Sequence, residues 1–398
     1  MKLLLVSERF WPEGSGGTLA TYLIAKLIAS YSDFRITVIT GTPNPAHIDG
    51  VRFIIDKAFR IRHKPLRWLY FLKPTVRERY KGLLKEFDIV YIPYGYFLIP
   101  LAKELDKRVV VHLHDYQPVS YNSVILCNQQ SGFVQEVRNE LVFELLEHGN
   151  IKYAIIGSLL APFITKLSNS WIKEADVVIC VSQRQAEIIS DLVPELAHKI
   201  RIIYNPLPET PQVEVKFKQS TFTYSGGDSY IKGFFVFMQA TLMFLKRRGD
   251  TKFLLLGRYG EIYKELVRRL NNTFAGKFKV FGYLSHEDTL RLYSKSHAVL
   301  FPSICEEPLP YTVIEAMIMG TLPIASKIGG IPEIVQGTYA EKMLFPVNNV
   351  NEIIDRMEEV LSLSREQLIN IGSELREAIL NRFNQEVIAQ RLLAVFSE

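Results

Sequence analysis

Glu307 and Glu315 are the residues of this chain whose type and spacing most invite chemistry. Seven residues separate them in the stretch PSICEEPLPYTVIEAM. Between Thr312 and Gly320, Glu315 is the only charge, flanked by Val313, Ile314, Ala316, Met317, Ile318 and Met319. A helix so apolar all round belongs in a core. A carboxylate carried there without a partner costs several kcal/mol or more. Ligand hydroxyls would satisfy it, because an ionised carboxylate has about four acceptor sites and a vicinal diol brings two donors. A structural ion pair with a Lys or Arg, or a solvated helix end, would satisfy it too. Spacing alone leaves these readings open.

The elements around the two glutamates follow from local pattern. Ala298 to Phe301 reads as a buried strand ended by Pro302 and Ser303. Pro308 and Pro310 forbid helix until about Tyr311. Thr312 to Met319 has a helical pattern, with Gly320 suited to the position after its end. Leu322 to Ser326 is the next strand, Gly329-Gly330 a turn, and Ile331-Pro332-Glu333 opens another helix.

The same grammar runs through the chain. Leu3–Ser7 is a strand, Glu13-Gly14-Ser15-Gly16-Gly17 a glycine loop and Thr18–Ser30 a helix, the opening of an α/β nucleotide-binding unit. Glycines let a ligand approach the backbone, and a helix start favours anions; an ordinary tight turn would look the same. Strands follow at Arg35–Thr40, Ile89–Ile92, Val109–His112, Val177–Val181 and Ile200–Tyr204, with helical stretches between most of them. Such alternation argues a mostly parallel sheet covered on both faces. His112 and His114 share one face at a strand end, where binding groups gather in these sheets; Asp115 beside them reads as a turn residue. The Pro-rich run from Tyr204 to Pro211 reads as an interdomain linker. The alternation then restarts with the strand Phe222–Ser225, a loop from Gly226 to Gly233 holding Lys232, the strand Phe253–Leu256 with Arg258 just after it, and Phe281-Gly282-Tyr283. Ser285-His286-Glu287-Asp288 reads as a capping box for the helix that follows.

The pattern PSICEEPLPYTVIEAM followed by GTLPIASKIGGIPE resembles the signature of the retaining glycosyltransferases of the GT-B fold, the large family-4 group (glycosyl transferases group 1). The resemblance covers nearly the whole chain and is densest over residues 222–336. It implies an α/β GT-B fold of two Rossmann-like domains facing across a cleft. Residues 1–206 would be an acceptor-binding domain, 207–380 a nucleotide-sugar-binding domain, and 381–398 a C-terminal helix returning to the first domain. The implied reaction is transfer of a sugar, of hexosyltransferase type, from a UDP- or GDP-linked donor to an acceptor hydroxyl with retention of configuration. Lys232 would neutralise the donor diphosphate, helped by amides at the helix start around Tyr311 and Thr312, with Leu309 and Pro310 also lying against the donor. Glu307 would hold the sugar hydroxyls, Glu315 the ribose, and His114 would orient the sugar. Gly16, Gly17 and Gly226 would lie against the donor, and Tyr283 near its base. The resemblance implies no metal and no cofactor, the leaving phosphate itself taking the acceptor proton; no Asp-x-Asp motif occurs. Two departures stand out. Gly227 sits where the family usually has Arg, a cation that Arg258 could replace, and Pro310 lacks an N–H where the family often has Gly. A sugar-nucleotide epimerase of GT-B architecture, and a non-catalytic sugar-nucleotide-binding relative, are the competing readings.

Composition bounds the setting. The 398 residues allow two ordinary domains. No apolar run reaches the length of a membrane-spanning helix, and MKLLLVSERF reads as a first strand rather than a signal peptide. Cys127, Cys180 and Cys305 are widely spaced, which suits a reduced cytoplasmic compartment. Residues 52–85 hold eleven Lys/Arg against Asp56 and Glu78, a net +9 where the whole chain is only +5, with aromatics interleaved. Such a stretch suggests contact with an anionic membrane at its cytoplasmic face, and so a glycan or lipid-linked acceptor. A solvated helix face with its aromatics in the core is the alternative. YAIIGSLLAPFITKL at 153–167 is too short to span a membrane and reads as either a core helix or an interfacial one. No nucleic-acid motif appears.

Overall fold

A computed structural model describes residues 1–61, 63–127, 133–212 and 220–398. Arg62 of the basic stretch lies outside the described residues.

Two parallel sheets organise the chain. The first comprises β1 (Lys2–Ser7), β2 (Arg35–Thr40), β3 (Arg52–Ile55), β4 (Ile89–Ile92), β5 (Arg108–Leu113), β6 (Val177–Cys180) and β7 (Ile200–Ile202), in the order β3-β2-β1-β4-β5-β6-β7. The second comprises β8 (Thr221–Tyr224), β9 (Lys252–Leu256), β10 (Phe278–Gly282), β11 (Ala298–Phe301), β12 (Leu322–Ser326) and β13 (Leu344–Phe345), in the order β10-β9-β8-β11-β12-β13. Strands covered by helices on both faces must be apolar on both. Accordingly Leu3 to Val6 in β1 and Val299 in β11 are wholly inaccessible to solvent.

Each order reverses once, between β1 and β4 in the first sheet and between β8 and β11 in the second. Loops leaving the carboxyl ends of strands on either side of such a reversal diverge and leave a crevice. The crevice loops are therefore those after β1, β4 and β5 in one sheet, and after β8 and β11 in the other. The fold is the α/β GT-B arrangement, and the helix Gln385–Ser397 packs back on the first sheet. Phe396 lies against Phe34 and Tyr91, with ring centroids 6.2 and 5.4 Å away, and Arg108 donates to the Val395 carbonyl at 2.7 Å.

The basic stretch is not a single helix but β3 followed by the short helices Lys57–Arg60, Lys64–Phe71 and Pro74–Leu84. Its first residues form β3, and Phe59, Trp68, Phe71 and Tyr80 are buried in the core. Several cations turn inward or sideways: Arg67 to Glu8 at 2.6 Å, Arg79 to Asp56 at 2.5 Å, Lys64 to the Tyr121 carbonyl, and Arg77 to Glu104. The aromatic spacing was that of a core-facing stripe, because a helix packed on a sheet needs one.

The halves are also clasped directly through Glu333 and Glu306. The Glu333 carboxylate accepts from the amides of Gln183 and Arg184 at 2.9 and 2.8 Å, at the open start of the helix Gln183–Leu192. Arg184 in turn reaches Glu306 at 2.9 Å. A negative group at a helix start is stabilising, so the second half holds the first by its helix end.

Candidate active site

A cavity of about 620 Å³ lies between the sheets, lined by loops of both. Lys232 and Glu307 come to it from loops that follow adjacent strands, β8 and β11. Gly233 makes their approach feasible. Its φ is +75°, and a Cβ there would stand 1.8 Å from the Pro302 carbonyl oxygen, so only glycine fits. The Lys232 ammonium then sits 2.6 Å from Glu307 Oε1. Ser303 Oγ donates to the same oxygen at 2.8 Å, and Cys305 Sγ lies 3.4 Å from it. Glu307 is almost wholly buried. Burial works against the Lys232 charge, but the adjacent Glu307 carboxylate outweighs it and holds the lysine above its ordinary value.

Glu315 corrects an expectation. It does not stand alone: His286 Nε2 lies 2.7 Å from its Oε1. Burial pulls the His286 imidazole down, yet the bond and charge of Glu315 outweigh that and raise it. The partner is a histidine rather than the Lys or Arg considered from sequence, and both residues line the cavity, so the pair faces the crevice. From the sequence His286 reads only as part of a cap. The Ser285 hydroxyl does cap the helix His286–Tyr293 by accepting from the Asp288 amide at 3.1 Å.

Opposite stand Gly16, Gly17 and His114. The helix begins at Gly16, two residues before the expected start, because the Ser15 carbonyl already accepts from Thr18 and Leu19. A Cβ on Gly17 would meet Tyr94 Oη at 2.0 Å and His114 Cβ at 3.2 Å, so the glycine sets the depth of this wall. His112 is spent internally, on the Tyr91 hydroxyl at 2.6 Å, with its ring stacked on His114 at 4.5 Å. His114 lines the cavity, and among the described residues neither of its ring nitrogens has a protein partner. Burial pushes its pKa down to about 3, so it stands neutral at ordinary pH. An orphaned buried imidazole is costly unless something else binds it. Asp115, also on the wall, is raised to about 6 by burial, and its Oδ1 accepts from the Gln117 amide as a turn residue does.

Leu309, Pro310, Tyr311 and Thr312 complete the floor at the start of the helix Tyr311–Ile318. The first amides of a helix have no partner within it. The Tyr311 hydroxyl donates to the Pro206 carbonyl at 2.8 Å, tying the helix to the linker.

The two departures have local causes. Gly227 has φ +62°, and a Cβ there would stand 2.6 Å from the Arg258 carbonyl oxygen. The loops after β8 and β9 thus press together where a side chain cannot fit, which excludes Arg at 227. Gly226 is equally confined, 2.2 Å from Tyr224 Oη by the same measure. Arg258 lies on the rim with its guanidinium 5.8 Å from the Tyr283 ring centroid. It lines not this cavity but a wider adjoining one of about 1180 Å³, which Tyr283 also borders. That second cavity opens along the first sheet, past Glu8, Arg67 and Lys64.

Comparison with known proteins agrees with this architecture. The family model described as Glycosyltransferase Family 4 matches residues 16–209, and that described as glycosyl transferases group 1 matches residues 208–377. An uncharacterised glycosyltransferase of Methanocaldococcus jannaschii is 23% identical over 313 residues, 73% of this chain and 76% of that protein. The spore coat protein SA of Bacillus subtilis is 24% identical over 181 residues, and the lipopolysaccharide 1,2-N-acetylglucosaminetransferase of Salmonella typhimurium 25% over 188. Those two matches cover 44% and 45% of this chain and about half of each relative, 48% and 49%. Among solved structures, a sucrose-phosphate synthase of Thermosynechococcus elongatus superposes with a TM-score of 0.72 at 18% identity, covering 100% of this chain and 98% of the other. HepE of Anabaena, in complex with UDP and glucose, gives 0.69 at 18%, covering all of both chains. At such identities the likeness is one of fold.

Proposed function

Because this chain belongs to the glycosyltransferases, with a family-4 first half and a group-1 second half, we propose that it moves a hexose from a nucleotide-diphosphate donor to a glycan hydroxyl with retention of configuration. The observation that carries the reading is the Lys232–Glu307 pair, set across the cavity from the unpartnered imidazole of His114.

In this reading the donor diphosphate draws the Lys232 ammonium partly away from Glu307, with the amides at the start of Tyr311–Ile318 beside it. Glu307, with three neighbours gathered on Oε1, offers Oε2 to the sugar hydroxyls. Neutral His114 accepts or donates one hydrogen bond to the sugar without adding charge. Glu315, steadied by His286, takes the ribose diol. The bond from the anomeric carbon to the leaving phosphate breaks, the acceptor oxygen bonds on the same face, and the leaving phosphate takes the acceptor proton. Arg258 on the rim stands in for the cation absent at Gly227. The UDP and glucose in the HepE complex, and the UDP and glycan ligands in a Staphylococcus aureus TarM complex with a TM-score of 0.69, support a nucleotide-sugar donor and a glycan acceptor.

The test is a screen of UDP- and GDP-sugars by thermal shift, since a ligand bound to the folded state raises stability as RT ln(1 + [L]/Kd). The stabilising donor is then assayed for transfer, and the product anomer assigned by NMR. A product of the same anomeric form as the donor, lost on Glu307→Ala, is expected. Epimerised free sugar nucleotide, or binding without any turnover, would discard the reading.

A further inference from the structure

The helix Ile151–Lys173 turns an apolar stripe to the outside. Ile155, Ile156, Leu159 and Phe163 share one side of it, and each is more than half exposed. Lys152 and Lys166 stand exposed on the same side, one at each end of the stripe. The helix has three lysines and no acid. Its other side, with Ala154, Gly157 and Ala161, is buried, the helix packing against its neighbour Phe133–Phe143. Leu145 and Leu146, on the short turn of helix Glu144–His148 just before it, are exposed as well. Exposed Leu66 and Leu69 lie on the nearby helix Lys64–Phe71, brought close by the His63 and Tyr153 rings at 5.3 Å.

We propose that this face docks on a lipid bilayer with anionic headgroups, the helix lying in the interface. By length and composition the helix is long and apolar enough to cross a membrane, but 39% of its most apolar window is buried inside the protein. One side of it is therefore committed to the core, and the outer side, with Ile155, Ile156 and Leu159 more than half exposed, is the one that can enter lipid. Charge decides against a second copy as the occupant. An isologous pairing of two such helices sets Lys152 against Lys166, or each lysine against its own twin, with no acid on either helix to neutralise them. Anionic headgroups neutralise both ends at once while the acyl boundary takes the apolar middle. The electrostatic share falls on these lysines rather than on residues 52–85, many of whose cations already have internal partners. The location also has a consequence. Glu147, four residues before the helix, accepts from Ser229 Oγ at 2.7 Å across the crevice and lines the wider cavity. The docked face thus lies beside that cavity's mouth. None of this depends on the identity of the donor.

The test is flotation of the full chain with vesicles of phosphatidylcholine alone and with one-third phosphatidylglycerol. Binding to the anionic vesicles at low salt is expected, weakening as salt screens the lysines. Ile156→Glu with Leu159→Glu should lower it at least about tenfold, and Lys152→Glu with Lys166→Glu severalfold. Circular dichroism and donor-induced thermal shift should match the parent; where the double glutamate variant fails to fold, Leu159→Ser with Phe163→Ser replaces it. A parent chain that ignores anionic vesicles at low salt overturns the proposal. So does a dimer in light scattering that Leu159→Glu splits while vesicle binding is absent.

Discussion

Lys232 Nζ and Glu307 Oε1 are 2.6 Å apart, although they stand 75 positions apart in the chain. Each is the other's counter-ion while no donor is bound, and the Glu307 carboxylate is almost entirely enclosed. Removing one partner of such a pair leaves an uncompensated charge, whereas neutralising both does not. Lys232→Ala should therefore cost about 1–3 kcal/mol of stability and lower kcat/KM for the donor about 10²- to 10³-fold. The double variant Lys232→Ala, Glu307→Gln should be more stable than Lys232→Ala alone, yet no more active. Urea denaturation beside initial rates separates the two effects. A single variant as stable as the double would mean the pair carries no buried charge.

Glu315 and His286 give stability a pH dependence of definite sign. His286 is raised in the folded state above its ordinary value of 6.5. The folded chain holds that proton more tightly than the unfolded chain, so the stabilisation is complete below about pH 6.5 and lost as pH rises through the folded value. His286→Gln should flatten the decline in urea midpoint above neutrality. A parent whose stability does not change from pH 6 to 9 by more than that of His286→Gln would refute the pairing.

Much of this fold can be read without coordinates, and the reasons are specific. Strands such as Leu3–Val6 and Ala298–Phe301 are apolar without interruption, which parallel sheets require. Glu307 and Lys232 stand in loops, and Glu315 on the short helix Tyr311–Ile318, all bounded by Pro and Gly residues that fix the element boundaries. What stayed hidden was long-range. His286 has no local mark of a binding residue, because its partner is 29 positions away. The aromatics of residues 52–85 have the same spacing whether they face a core or a membrane; only the sheet behind them decides. The exposed stripe at Ile155–Phe163 is ambiguous for the same reason, since a buried helix and an interfacial one share a pattern.

Gly17 tests how tightly the first-domain wall is built. A methyl group at this position would lie 2.0 Å from Tyr94 Oη but 3.2 Å from the ring carbon that bears it. Gly17→Ala should push Tyr94 and His114 out of place and cut transfer at least about tenfold, by misplacing a group that must hold the sugar. Tyr94→Phe removes the nearest atom of the clash, so Gly17→Ala with Tyr94→Phe should recover much of that loss. If the phenylalanine gives no recovery, the effect of Gly17→Ala lies elsewhere, in the backbone of the helix start.

His114 should act as a neutral group throughout the working pH range, and this too has a sign. Its pKa falls to about 3 by burial, against 6.5 ordinarily. Below pH 6.5 the unfolded chain takes up a proton here that the folded chain refuses. The stability is thus fully present above that pH and declines by about 1.4 kcal/mol per pH unit as the solution is acidified towards 3. The direction is opposite to that of His286, so the two residues bound the pH of greatest stability from either side. His114→Asn keeps a hydrogen-bonding side chain but cannot titrate. It should reduce the acid slope of the urea-derived free energy by close to one proton; His112, also depressed by burial, leaves a remainder. The rate profile provides the second check. A neutral imidazole gives no acid limb near pH 6.5 in kcat/KM, and His114→Asn should lower the whole profile without shifting it. A limb near pH 6.5 that disappears in the variant would show that His114 works as a titrating acid or base instead.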